Sequence, residues 1–433
     1  MLFSDIAVLD ENFVYREHQW VGIIDKHICY ISDTPPLPQE AESYGEVYDG
    51  RDKMLMVAFY NAHAHAPMTL LRGYTEGLPL QKWLFDRVFP FEDKITGQDA
   101  YWATLLACAE MARYGVVSFS DMYMFSEDRI RAVIDSGMKA NIADNFTTSE
   151  DKPYSEHPAS AFNEQLVDTY HQSAEGRIRI DYCVHAEYTS HPKAVADIAQ
   201  VSKEKGLHLH VHVSETKLEH EECKQRHGGL TPVQYFDSLG VFENPVTAAH
   251  CVWVEEEDIE ILAQKGAFVA CNPASNMKLA SGFAPIPQML ERGVSVALGT
   301  DGPASNNNHD FMQDMYLMSL IYKGKALDPT VLSPEQVLMA ATRTGALSQG
   351  RDDCGMIKTG MKADLIVIDT SGPSWTPAFN QLSNLVYAGH GSDICLTMVD
   401  GKVVYRDGAW PTLDLERIKK EVSTAAARIQ ASI

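Results

Sequence analysis

Met56-Val57-Ala58-Phe59-Tyr60-Asn61-Ala62-His63-Ala64-His65 opens as an apolar run and closes on two histidines separated by a single alanine. Its near-continuous apolar composition predicts a strand over Met56–His63 that is buried on both faces, as in a parallel sheet. Strand residues alternate faces, so His63 and His65 point the same way. Seven further runs of this texture follow, near Val116–Met122, Lys139–Asn145, Ile178–Val184, Leu207–Val213, Val246–Cys251, Ala267–Asn272 and Ser295–Gly299. Helix-like segments separate them. Thr96 and Asp99 offer a capping pair before Ala100–Tyr114, where apolar residues recur at helical spacing. Repeated βα units of this number predict an α/β fold of the (β/α)8 TIM-barrel type. An open doubly wound sheet is the alternative, but no GxGxxG follows the first strand.

The chain ends read differently. Ile6–Leu9, Trp20–Ile24 and Cys29–Ile31 are short β-like runs between Asp, Asn, His and Pro turns, the texture of an antiparallel sheet. Ala363–Ile368 resumes it, as does Leu396–Tyr405, where Asp400-Gly401 is a hairpin signal. The expected organisation is a small β-sandwich module built from residues 1–55 and 360–412, a barrel over 56–359, and a terminal helix within 413–433.

Composition narrows the function. Acidic residues outnumber basic ones 59 to 36, for a net charge of −23, which argues against nucleic acid as a partner. The N-terminus lacks a basic n-region, and no apolar run reaches the length of a membrane span. Eight scattered cysteines without a CxxC pair support neither a disulfide framework nor a cysteine-based zinc site, so free thiols in a reducing cytoplasm are expected. A cytoplasmic enzyme acting on a small molecule fits these limits; a homo-oligomer is left open.

The chemistry gathers at the ends of the expected barrel strands. The fifth strand carries His208, His210 and His212 on one face, and only His212 can reach the mouth. Glu215 follows just past that strand, the sixth ends at His250, and the eighth ends at Asp301. Alone, each has an ordinary reading: a packed core histidine, a helix N-terminal acid, a turn aspartate. Together they mark the C-terminal face, where such barrels place active sites. Three imidazoles and a carboxylate suit one divalent metal, Zn²⁺ with Fe²⁺ as the alternative, and leave a position for water. The fourth strand ends Cys183-Val184-His185 without a lysine, which argues against a second, lysine-bridged metal.

These segments resemble the amidohydrolase superfamily, and within it the methylthioadenosine/S-adenosylhomocysteine deaminases. The resemblance rests on Asn61–Gly73, His210–Thr216, Ala248–Cys251, Asn272–Leu279, Leu298–Asn308 and Lys362–Asp369, and spans nearly the whole chain. It implies that His63, His65, His212 and Asp301 bind the metal. It further implies that Glu215 protonates the substrate ring, that His250 positions the water, and that Asp301 carries its proton to the departing ammonia. Glu92 would then bind ribose hydroxyls and His185 would face the purine. The sequence departs from relatives at Val57-Ala58, where they have Pro-Gly, and at Asp144, near which those accepting S-adenosylhomocysteine place an arginine. An acid there would repel a carboxylate. The implied reaction is hydrolytic deamination of 5′-methylthioadenosine, 5′-deoxyadenosine or adenosine, with S-adenosylhomocysteine disfavoured. The alternatives are a guanine or pterin deaminase, or a triazine hydrolase, on the same metal site; a non-catalytic scaffold is a third class.

Overall fold

The computed structural model describes residues 1–433. Eight parallel strands form one sheet in sequence order: Phe59–Ala64, Val116–Tyr123, Lys139–Asp144, Ile178–Val184, Leu209–Val213, Val246–His250, Phe268–Cys271 and Ser295–Leu298. Each is buried along almost its whole length, as the apolar runs predict. The sheet curls into a nearly closed barrel. Its first and last strands meet through Asp301 N–H donating to His63 O at 2.9 Å, and through Asn61 Nδ2 donating to Thr300 Oγ1 at 2.7 Å. Helices wrap the outside. Gly97–Arg113 starts at Thr96, whose side chain accepts from the Asp99 amide while Asp99 accepts from the Thr96 amide, the reciprocal cap that the sequence predicts.

A second, mixed sheet uses both ends of the chain. Leu2–Leu9, Tyr15–Ile24 and His27–Ser32 pair antiparallel, Val47–Asp49 and Lys53–Val57 lie parallel to the first, and Leu365–Asp369, Ile394–Val399 and Lys402–Arg406 complete the sheet. Asp400 and Gly401 both take positive φ, 46° and 74°, in the turn between the last two strands. A Cβ on Gly401 would lie 1.9 Å from Asp25 O, so only glycine fits.

One expected strand divides. Residues Lys53–Val57 pair with Leu365–Asp369 in the second sheet, and the barrel strand begins only at Phe59. Ala58 N–H donates to Asp364 O at 3.0 Å, so the break falls where the chain changes partners. The joint is sealed by a buried ionic cluster. Lys139 Nζ lies 2.5 Å from Asp364 Oδ2 and 2.6 Å from Asp400 Oδ1, and the Tyr60 hydroxyl donates to Asp364. The C-terminal helix Leu415–Gln430 packs Ile418, Val422, Ala425 and Ile429 into an apolar cluster with Ala100 and Ala103. All eight cysteines are free thiols, Cys29 exposed and Cys395 half-buried. No helix is long and apolar enough to cross a membrane.

Candidate metal centre

The barrel topology brings His63, His65, His212, His250 and Asp301 together, each at the C-terminal end of its strand. Their hydrogen bonds fix the imidazole tautomers. His65 Nδ1 lies 2.5 Å from Met122 O, and His212 Nδ1 lies 2.7 Å from His185 O. A carbonyl only accepts, so both Nδ1 atoms donate, and both Nε2 atoms present lone pairs. Those two acceptors face each other at 3.4 Å. The His63 Nε2 atom is buried without a hydrogen-bond partner. Asp301 Oδ1 completes the set, 3.5 Å from His63 Nε2 and 3.3 Å from His65 Nε2.

Three imidazole lone pairs and a carboxylate oxygen, crowded with no proton between the facing nitrogens, are a cation site. Tetrahedral zinc ligands about 2.0–2.1 Å from the ion are separated by about 3.3–3.4 Å, which matches the spacing here. Burial favours the neutral imidazoles that a metal needs: it pushes His63 down to about 4 and His212 well below its ordinary value. Asp301 is held well below the usual carboxylate range by His63, His65 and His250, despite its burial.

Supports around these atoms carry little sequence signal. His63 Nδ1 rests 2.8 Å from Nε2 of the deeper His210. Asp301 Oδ2 accepts from the Ser275 hydroxyl at 2.6 Å and the Ser305 hydroxyl at 3.0 Å, which leaves Oδ1 toward the imidazoles. Ser275 belongs to the NPASN segment, which the sequence marks as a motif without assigning it a task. Asp121 Oδ1 accepts from the Ala66 amide, and the fully buried Arg129 holds its other oxygen at 2.7 Å, fixing the turn after His65. Ser214, His250 and Asp301 take left-handed φ of 49°, 75° and 62°. Each costs about 1–3 kcal/mol, a price met by these surrounding bonds.

Glu215 and His250 flank the ligand set. His250 Nδ1 lies 2.9 Å from Asn276 Oδ1 and 3.2 Å from Asn272 Nδ2, and Nε2 lies 3.9 Å from Glu215 Oε2; Glu215 and Asp301 raise the His250 pKa despite its burial. Burial raises the Glu215 pKa above its ordinary value. Glu219 accepts from the Glu215 and Ser214 amides at 2.7 and 3.0 Å, which sets the loop, and forms a reciprocal cap with Thr216 at the start of the next helix. Glu92 and His185 line the same cavity. Burial raises Glu92 to about 7 and lowers His185 to about 4. The His185 Nδ1 atom lies 2.9 Å from Thr189 Oγ1.

Asp144 stands elsewhere. Its carboxylate accepts from Ser126 at 2.7 Å beside Arg129, and it is not among the lining residues. The cavity wall beyond the ligands is largely apolar, with Met68, Leu80, Trp83, Leu84 and Val88 among its residues, and holds no lysine or arginine.

Comparison with known proteins agrees with this geometry. A 5-methylthioadenosine/S-adenosylhomocysteine deaminase from Dictyoglomus thermophilum is 39% identical over 429 residues, covering 98% of each chain. A 5′-deoxyadenosine deaminase from Methanosarcina mazei is 41% identical over 392 residues, covering 90% of each. The crystal structure of an adenosine deaminase from Xanthomonas campestris with bound zinc superposes with a TM-score of 0.92 at 27% identity, covering 99% of this chain and 98% of that one. An atrazine chlorohydrolase from Arthrobacter aurescens complexed with zinc shares the fold, with a TM-score of 0.89 at 22% identity over 98% and 99% of the two chains. The model of the amidohydrolase family matches residues 54–404, most of the sequence, and with a mononuclear metal site at the mouth of its barrel this chain belongs to that family.

Proposed function

We propose that this chain hydrolyses the exocyclic amino group of an adenine-type nucleoside, releasing the inosine analogue and ammonia. The observation that carries this reading is one cavity in which Glu215 and His250 adjoin the metal ligands and Glu92 shares the lining. The names of the relatives support it: deaminases of 5-methylthioadenosine/S-adenosylhomocysteine and of 5′-deoxyadenosine.

His63, His65, His212 and Asp301 would hold one divalent cation, with zinc preferred on the donor set. When bound, such a cation supplies Lewis acidity that lowers the pKa of a water to about 7. Burial favours the protonated form of Glu215, which donates its proton to the ring nitrogen beside the attacked carbon. Its Oε1 accepts from Ser281 at 3.3 Å, which leaves Oε2 to carry that proton. His250, with Nε2 turned toward Glu215, orients the attacking water. Asp301 takes one proton from the water and returns it to the departing amine, while the second water proton leaves the oxygen as the carbonyl forms and restores Glu215, so ammonia leaves neutral. Glu92 accepts from ribose hydroxyls, and His185, neutral at physiological pH, faces the purine.

A cavity without lysine or arginine, walled by apolar side chains, favours a neutral 5′ group over the amino-acid carboxylate of S-adenosylhomocysteine. This replaces repulsion by Asp144 as the reason for the preference, because Asp144 is bonded to Ser126 outside the lining. An ammonia-release screen over purine nucleosides, free purines, pterins and triazines tests the reading. Release from 5′-methylthioadenosine, 5′-deoxyadenosine or adenosine is expected. Release only from a free base, a pterin or a triazine would overturn it.

A further inference from the structure

Three loops meet beside Glu215 at the rim of the barrel, and Trp253 ties them together. It lies on the loop that follows His250. Its amide and that of Val252 donate to Ser214 O at 2.9 and 3.0 Å, on the loop that follows His212. Its indole Nε1 donates to Ser281 O at 2.7 Å, on the loop after the short helix Pro273–Lys278. Lys217, which opens the helix after Glu215, sets its ammonium 5.6 Å from the centre of the indole ring. The Ser281 loop fits the indole closely. Ala280 takes left-handed φ of 54°, and Gly282 has φ +127°, where a Cβ would lie 3.0 Å from Val252 Cγ1 and 3.3 Å from Trp253 Nε1. A side chain at 282 would push the loop off the indole.

Ser281 passes this backbone contact on to Glu215. Its buried hydroxyl donates to Glu215 Oε1 at 3.3 Å, the one hydrogen bond that the Glu215 carboxyl makes. Glu219 fixes the Glu215 backbone through its amide, and His250 Nε2 stands 3.9 Å from Oε2, beyond hydrogen-bond reach. Among hydrogen bonds, Ser281 alone opposes rotation of the carboxyl, and the indole in turn places Ser281. Neither Trp253 nor Ser281 lines the cavity, so both act through Glu215 and not on the substrate.

We infer that Trp253 is a positioning residue for the deamination: through Ser281 it keeps Glu215 Oε1 engaged as an acceptor and leaves Oε2 to face the ring nitrogen. This rests on the deamination proposed above. A general acid must sit within hydrogen-bond reach of the atom it protonates, and a small misplacement costs rate. The Ser281 bond serves the proton transfer and does not hold the substrate, so its loss should appear in kcat and leave KM unchanged.

Initial rates of ammonia release test the inference, using the zinc-loaded protein and whichever of 5′-methylthioadenosine, 5′-deoxyadenosine and adenosine the wild type turns over fastest. Wild type, Trp253→Phe, Ser281→Ala and the double variant are compared, each normalised to bound metal. Trp253→Phe keeps an aromatic ring and removes the N–H. Each single substitution should lower kcat about tenfold, with KM within about twofold. Both act on one contact, so the double variant should be at most about twofold slower than the slower single variant. Unchanged kcat in either single variant would overturn the inference, and so would effects that multiply in the double variant. Ser281→Ala leaves the indole in place and carries the test if Trp253→Phe does not fold. The wild type separates this inference from the deamination it rests on. No ammonia from any of the three nucleosides ends both, whereas a wild type that deaminates them no faster than its variants ends the inference alone.

Discussion

Glu92 is 7% exposed at the end of the short helix Phe89–Glu92, and burial raises its pKa from 4.5 to about 7, with the Tyr123 hydroxyl only partly offsetting it. The folded state therefore favours the protonated acid. Below pH 4.5 the group is protonated whether the chain is folded or not, and nothing is lost. As pH rises from 4.5 to about 7, the unfolded chain releases the proton while the folded chain retains it, so stability falls. Above that range the deficit levels off at about 3 kcal/mol, since each pKa unit corresponds to about 1.4 kcal/mol. Glu92→Gln keeps the shape and removes the charge. The variant should be more stable than wild type by up to about 3 kcal/mol at pH 8, with the gap closing toward pH 4.5. It should also lose function. A charged acceptor contributes about 1.5–3 kcal/mol per hydrogen bond, so kcat/KM for a nucleoside should fall about 10- to 100-fold at pH 8. At pH 6 about one-tenth of Glu92 is ionised in wild type, so the ratio of wild type to variant should shrink there. Urea unfolding at both pH values and initial rates on 5′-methylthioadenosine measure the two effects, and contributions from the metal centre cancel in the ratio. A stability gap independent of pH, or nucleoside turnover unchanged by the substitution, would refute the reasoning.

Ser275→Ala removes one of the two hydroxyls that orient Asp301, and should lower kcat/KM about 10- to 100-fold while bound metal stays stoichiometric, checked by rates and metal content on the same sample. Lys139→Met strands Asp364 and Asp400 at the joint between barrel and second sheet, and should destabilise by about 3–5 kcal/mol in urea unfolding. S-adenosylhomocysteine should be turned over at least about tenfold more slowly than 5′-methylthioadenosine, as measured by kcat/KM; the reverse order would remove the neutral-substrate assignment.

The barrel was legible because doubly buried strands must be apolar throughout, and the histidines at their ends stand out against that background. The same uniformity hid one boundary. Met54 to Tyr60 is apolar without interruption, and only the pairing of Ala58 with Asp364, far away in sequence, separates two strands there. The candidate ligand set stands out because a (β/α)8 topology carries strand ends to one rim. Its supports do not. Strand position places His210 below the mouth, but nothing local indicates that His63 is the residue it backs. Ser275 and Ser305 become partners of Asp301 only once separate loops fold over it. Asp144 shows the limit most clearly. Its position in sequence suggested a substrate contact, but its side chain follows Ser126 and Arg129 on the neighbouring helix, a tertiary choice without a local signal.

The central claim is a single cation held by four named side chains. Anomalous diffraction from crystals of the zinc-loaded protein tests it most directly. The expected result is one peak per chain at the barrel mouth, about 2.0–2.2 Å from Nε2 of His63, His65 and His212 and from an oxygen of Asp301. Two peaks at the mouth, or a single peak not ligated by these four residues, would contradict it.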